Sequence, residues 1–255
     1  MTAAATATGW YVYGIVDADG DVEGVDLVRH GNLAALVAEV DLADFGEDAL
    51  PERLNDRAWL EEKVRAHEDV LQRAAARRAV VPLRFGAIYD ERHDVVDLLE
   101  KRGDEFRGAL EHVRGRVELG VKVWVDRSRY EREIASDASA GETAGGGRAY
   151  MLRRQTERRI AEEAATRLAE LAREVHERLA AVAVDAVANR PQPPELSGRD
   201  EQMLLNAAYL VARDDDALDE ALVALQEEYA RLGLLFELTG PWPPHNFVDR
   251  GDVTA

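Results

Sequence analysis

The chain has 255 residues, of which 46% are hydrophobic and 32% charged, a composition typical of a globular protein with two domains of ordinary size. Its net charge of −18 argues against binding to nucleic acid phosphates or to an anionic membrane surface. The chain contains no cysteine, which excludes disulfides, thiol nucleophiles and thiolate metal ligands. The sequence contains no apolar run long enough to span a membrane and no basic, apolar N-terminus typical of a signal peptide. We therefore expect a cytoplasmic protein.

Strand and helix patterns alternate in the first half of the sequence. Residues 10–16 are aromatic and β-branched and predict a strand, and residues 30–32 predict the turn of a hairpin. A long helix is predicted from about residue 51 to 78. Residues 80–89 predict a second strand, and a helix from about 91 to 114 follows it.

The second half opens with a clean alternation of apolar and polar residues at 116–126, which predicts a strand. A long helix is expected at about 149–181, because an apolar stripe recurs there in steps of three and four. The members of this stripe are Ile160, Ala164, Leu168, Leu171, Val175, Leu179 and Val182. Further predicted elements are strands at 182–188, 204–213 and 234–240 and a helix at 217–232. The resulting order, β-α-β-β-α-β, is that of ferredoxin-like domains.

The predicted fold class is therefore α+β with two domains. Residues 1–9 are expected to be a disordered tail, and residues 10–114 an N-terminal α+β domain with a small mixed sheet packed with helices. Residues 115–255 are expected to form the ferredoxin-like domain with a C-terminal extension.

A search for catalytic chemistry finds no recognisable motif. The six histidines are scattered, and none forms the HExxH pair of a zinc protease. The glycine-rich run at residues 141–148, GETAGGGR, lacks the Lys and Ser/Thr of a phosphate-binding loop, so a flexible connector is expected there. We predict no enzyme activity, no cofactor and no metal site.

The segment VPLRFG at residues 81–86 contains two candidate contact residues. Pro82 belongs at a strand edge or start, because it cannot donate a ladder hydrogen bond. Alternation places Arg84 on the face opposite Leu83 and Phe85. Arg84 then either pairs with a carboxylate of the same protein or contacts a partner, and both alternatives stay open.

The segment LTGPWPPHNFV at residues 238–248 is the most unusual in the chain. Its consecutive prolines impose an extended course and hold the neighbouring aromatic side chains on a stiff backbone. These aromatic side chains either fill the end of a core or present a binding hot spot to a partner. The candidate residues for partner binding or domain packing are Arg84, Phe85, Trp242, Pro243, Pro244, Asn246 and Phe247.

Six segments in order along the chain resemble the gas vesicle protein family GvpF/GvpL. They are WYVYGIV, VVPLRFGAIY, ELGVKVWV, YMLRRQ, NAAYLV and LTGPWPPHNFV. His245 departs from the family pattern, which usually has an aromatic residue at this position.

The resemblance implies a non-enzymatic accessory or minor structural protein in the assembly of gas vesicles, the gas-filled shells that give cells buoyancy. It further implies contacts with the hydrophobic shell protein and with other gas vesicle proteins, in the cytoplasm and on the vesicle. A soluble, acidic partner suits an apolar, aggregation-prone shell subunit. Two alternatives stay open: a regulatory module that binds a small ligand through a ferredoxin-like domain, and an enzyme whose site no motif reveals.

Overall fold

A computed structural model describes residues 7–47, 49–138, 147–193 and 198–248, with side chains for all of these except 135–138, 147–158 and 160. The chain divides into two compact units. The first unit comprises Met1–Glu118 and Pro241–Ala255, and the second comprises Leu119–Gly240. Of the predicted tail, residues 1–6 lie outside the described residues, whereas Thr8 and Gly9 already belong to the first strand.

The strands and helices of the first unit follow the predicted order, although three of the predicted elements are interrupted. In chain order they are β1 (Thr8–Asp17), β2 (Asp26–His30), β3 (Leu33–Asp41), α1 (Leu42–Phe45), α2 (Leu50–Arg53), α3 (Arg57–Ala75), β4 (Val81–Pro82), β5 (Ile88–Tyr89), α4 (Arg92–Lys101) and α5 (Gly103–Val113).

The sheet of the first unit is antiparallel, so the prediction of a mixed sheet was wrong. Its strand order is β2-β3-β1-β4, with β5 also paired to β1, and each of these pairs is antiparallel. Two residues, Gly31 and Asn32, join β2 to β3, and a link this short permits only an antiparallel pair. The hairpin at this turn was predicted correctly.

The core of the first unit lies between the sheet and α3. It contains Val16 of β1, Leu36 of β3 and Leu71 of α3, which are all fully buried. Gly14 of β1 sits where the register shifts, and a Cβ there would lie 2.8 Å from the carbonyl oxygen of Val81. Only glycine allows the two backbones to approach this closely.

Three predicted elements of the first unit are interrupted. The helix predicted at 51–78 breaks before α3, where the carboxylate of Asp56 caps the new helix by accepting from the backbone N–H groups of Ala58 and Trp59. The helix predicted at 91–114 breaks at Arg102 into α4 and α5. The strand predicted at 80–89 is reduced to β4 and β5 because a turn separates them.

The second unit contains a four-stranded sheet covered by helices. Its strand order is β7-β8-β6-β9, and β7 pairs with β8 in antiparallel register. In chain order the elements are β6 (Arg116–Val125), α6 (Arg127–Ala138), α7 (Gly147–Ala180), β7 (Asp185–Asn189), β8 (Gln202–Ala212), α8 (Ala217–Glu228), a 3₁₀ turn (Ala230–Leu232) and β9 (Leu234–Trp242).

The apolar stripe of α7 explains how this long helix covers the sheet. Its members from Ala164 to Leu179 are buried, and the helix packs against β8 and α8. The side chain of Ile160 lies outside the described residues, and Val182 follows the helix and is partly exposed. None of the described helices is both long and apolar enough to cross a bilayer.

Candidate functional site

The C-terminal segment, defined here as residues 241–248, packs on the first unit. The predicted boundary had placed these residues with the second domain; they belong to the first unit because their contacts are with α3 and Glu118. Pro243, Pro244 and Phe247 are buried, whereas 45% of the surface of Trp242 is exposed. The prolines and Phe247 therefore hold the segment in place, while Trp242 remains partly accessible to solvent.

A buried carboxylate fixes the end of the C-terminal segment. Glu118 of β6 is 4% exposed and accepts two hydrogen bonds from Asn246. The backbone N–H of Asn246 lies 2.8 Å from one carboxylate oxygen, and its side-chain amide lies 2.6 Å from the other. Such hydrogen bonds to a charged acceptor are stronger than neutral ones. Asn246, one of the predicted site residues, is thus part of the anchor.

Residues of α3 add two more contacts to the C-terminal segment. The side chain of Gln72 donates to the carbonyl oxygen of Pro241 over 3.3 Å. Nε2 of His245 lies 3.0 Å from a carboxylate oxygen of Glu68. The residue that departs from the family pattern therefore makes a polar contact with the first unit.

The VPLRFG segment forms a turn that is hydrogen-bonded to the side chain of a tyrosine. The backbone N–H of Ala87 donates to the carbonyl oxygen of Arg84, and Gly86 adopts a left-handed conformation with φ of +84°. The backbone N–H of Gly86 donates to the hydroxyl of Tyr11 over 3.1 Å. As a result Leu83 points into the core, the side chain of Arg84 is exposed and Phe85 is half-buried.

A buried tyrosine and histidine lie beneath this turn. The hydroxyl of Tyr11 is 2.8 Å from Nδ1 of His67, a residue of α3 that is 3% exposed. Burial lowers the pKa of His67 to about 4, and the charge of nearby Glu68 only partly offsets this effect. Burial also raises the pKa of Tyr11 well above its usual value. His67 is therefore neutral at physiological pH, and this hydrogen bond joins two uncharged groups.

Helix α3 brings the two predicted segments together. The ring of His67 lies 5.9 Å from that of Phe85, and the next residue, Glu68, contacts His245 of the C-terminal segment. This role of α3 was not predicted from the sequence. The available signal was a histidine at a core-facing position of an amphipathic helix, which by itself does not identify a partner.

The described residues outside these two segments were searched for a metal-binding or phosphate-binding site. No group of three or more His, Asp or Glu side chains that could hold a metal ion occurs among the described residues. The glycine-rich run at 141–148 lies outside the described residues except for Gly147 and Arg148, which begin α7. In the second unit, His176 forms a hydrogen bond of 2.9 Å with Tyr209, a buried core residue.

Removing the Glu118 anchor should loosen the C-terminal segment. We expect Glu118→Ala to lower the free energy of unfolding by about 1–3 kcal/mol, because it leaves the partly buried N–H of Asn246 without this acceptor. Urea unfolding of Glu118→Ala, Asn246→Ala and the double variant measures the coupling between the two side chains. We expect a coupling of at least about 0.5 kcal/mol, and strictly additive effects would contradict the contact.

The family model described as gas vesicle synthesis protein GvpL/GvpF matches residues 9–249. The chain belongs to this family. Gas vesicle protein L of Streptomyces sp. (strain CB03234) is 37% identical to it over 222 residues, which cover 87% of this chain and 82% of that protein. Gas vesicle protein F of the same strain is 31% identical over 259 residues, covering 94% and 99%. The sequence-based recognition of the GvpL/GvpF family is confirmed, and it was carried by the segments quoted above.

Two solved structures of GvpF share the fold. The crystal structure of GvpF from Anabaena sp. PCC7120 matches with a TM-score of 0.66 at 19% identity, covering 95% of this chain and 96% of that one. The structure of GvpF from Microcystis aeruginosa matches with a TM-score of 0.63 at 17% identity, covering 94% and 99%. The α+β fold of this GvpL/GvpF protein, with two antiparallel sheets and helices, is therefore that of GvpF.

Proposed function

We propose that this GvpL/GvpF protein is a non-enzymatic accessory or minor structural protein of gas vesicle assembly. In this role it acts in the cytoplasm and at the vesicle, and it binds the hydrophobic shell protein and other gas vesicle proteins. Membership in a family of gas vesicle synthesis proteins supports the process, and the net charge of −18 supports a soluble carrier for an apolar subunit.

The observation that supports binding most directly is the exposure of Trp242. Trp242 is 45% exposed although the two prolines that follow it, Pro243 and Pro244, are buried. Because its neighbours are anchored, the indole loses little conformational freedom when a partner covers it. Trp242 is therefore our leading contact residue. The exposed Arg84 and the half-buried Phe85 form a second candidate contact, whereas Pro243, Pro244, Asn246 and Phe247 support the segment.

The second unit is proposed to be a ferredoxin-like domain. Two observations support this assignment: the strands and helices follow the order expected for such a domain, and the strand order β7-β8-β6-β9 places the first and third of its strands in the centre. The assignment concerns the fold and implies no ligand.

Replacing Trp242 should separate binding from stability. We expect Trp242→Ala to lower the free energy of unfolding by about 1–2 kcal/mol, less than the loss of a buried aromatic ring, because 45% of the residue is exposed. We expect the same variant to reduce the recovery of shell protein in co-purification and the yield of vesicles in a complemented deletion strain.

The matched control is Val223→Ala, which removes an exposed apolar side chain of α8 and should leave recovery and yield unchanged. Normal vesicles in the deletion strain, together with no association between this protein and the shell protein, would refute the proposed function.

A further inference from the structure

Aromatic side chains from three elements meet at one end of the first unit and remain partly exposed. The ring centroids of Phe45 and Trp59 are 5.1 Å apart, and those of Trp59 and Phe85 are 6.5 Å apart. Leu54 is 43% exposed and follows α2 one turn after Leu50, whose side chain lies beside Gly86, the neighbour of Phe85. We call Phe45, Leu54, Trp59 and Phe85 the aromatic patch. Exposed apolar side chains near one another are typical of interaction surfaces.

The backbone around the aromatic patch is locally adaptable. Helices α1 and α2 have four residues each, and neither contains a buried residue. Leu50 of α2 lies next to the turn at Gly86, so the short helices and the VPLRFG turn touch one another. Elements with few buried contacts open at low free-energy cost, which allows such a surface to adjust to a partner.

Carboxylates outnumber cations around the aromatic patch. Residues 41–57 contain six carboxylates and two cations, Arg53 and Arg57, and Arg84 adds a third cation beside Phe85. Arg53 pairs with Asp44. Glu47 and Glu52 are exposed, and neither makes an ion pair with any described residue. An excess of negative charge therefore remains after the three cations are counted.

We propose that the aromatic patch and the carboxylates beside it bind a cationic amphipathic segment of a partner protein. Apolar side chains of the segment would cover Leu54 and the three rings, and its Lys or Arg side chains would face Glu47 and Glu52. Such charge complementarity favours association and selects against wrong partners. A second copy of this acidic chain and nucleic acid are disfavoured, since both carry the same sign of charge. The inference rests on the proposed function, because the partner is taken to be another gas vesicle protein.

Synthetic peptides test this surface without the natural partner. The probes are an amphipathic peptide of leucine and lysine, its leucine and glutamate counterpart, and a neutral leucine and serine peptide. Each is titrated calorimetrically into the full chain, the Leu54→Lys variant and the Val223→Lys control. Leu54 and Val223 are both exposed, at 43% and 52%, and both substitutions change the net charge equally.

We expect the lysine peptide to bind and the other two to bind at least about tenfold more weakly. We also expect Leu54→Lys to weaken binding of the lysine peptide about tenfold, and Val223→Lys to change it less than about twofold. The inference is overturned by absent binding, by equal binding of the three peptides, or by equal effects of the two variants. If these peptides fail while the shell protein still co-purifies, the inference fails and the proposed function stands.

Discussion

Phe247→Ala is expected to lower the free energy of unfolding by about 3–5 kcal/mol, the usual cost of removing a buried aromatic ring. Phe247 is 8% exposed, and its backbone N–H donates to the carbonyl oxygen of Pro244 within the C-terminal segment. The substitution would leave a cavity beneath a segment whose prolines cannot rearrange freely.

Urea unfolding with the slope held constant measures this loss as a shift of the midpoint. The matched control is Trp242→Ala, because it removes a larger aromatic side chain from the same segment, but one that is 45% exposed. A cost for Phe247→Ala no greater than that for Trp242→Ala would contradict the assignment of Phe247 to packing.

Acidification should destabilise the first unit through His67. Its pKa is about 4 in the folded protein, against an ordinary value of 6.5. Between these values the unfolded chain binds a proton that the folded chain does not, so the free energy of unfolding falls as the pH drops from about 6.5 to about 4. At about 1.4 kcal/mol per pKa unit, the loss attributable to His67 is about 3 kcal/mol.

His67 is sensitive to pH because it is buried, and the charged groups near it shift its pKa in opposite directions. Tyr11, Tyr13 and Phe85 surround the ring with aromatic surface, the charge of Glu68 favours protonation and that of His245 opposes it. Desolvation is the largest of these effects, so the neutral form is favoured.

Unfolding measured from pH 7 to pH 4 tests this prediction by comparing variants. His67→Gln should reduce the slope of stability against pH in this window, because glutamine does not titrate. His93→Gln is the control, since the side chain of His93 is 75% exposed. An unchanged slope in His67→Gln would show that other groups cause the acid sensitivity.

Elements with strong local patterns could be predicted from the sequence. The alternation of apolar and polar residues predicted β6, and the apolar stripe predicted α7. A run of mostly apolar residues predicted β8. The start of α3 at Arg57 could also have been predicted, because the preceding residue, Asp56, is a favourable N-cap.

The turn at residues 84–87 was not predictable in this way. Strand-forming residues flank it on both sides, at Val80–Val81 and Ile88–Tyr89, and the hydroxyl of Tyr11 that accepts the hydrogen bond from the N–H of Gly86 lies 75 residues away in the chain. The same holds for His67, whose partner Tyr11 is 56 residues distant. Contacts over such separations depend on how the elements pack, and a single sequence does not encode them in any local pattern.

By itself the sequence determined the family, the α+β class and the special status of the C-terminal segment, because motifs and short-range periodicity are local properties. Only the tertiary structure decided the role of each side chain in that segment. It buries Phe247 and both prolines, anchors Asn246 on Glu118 and leaves Trp242 exposed. The physical reason is that burial depends on the surface against which a residue packs, and that surface is contributed by α3 and β6, which are distant in the chain.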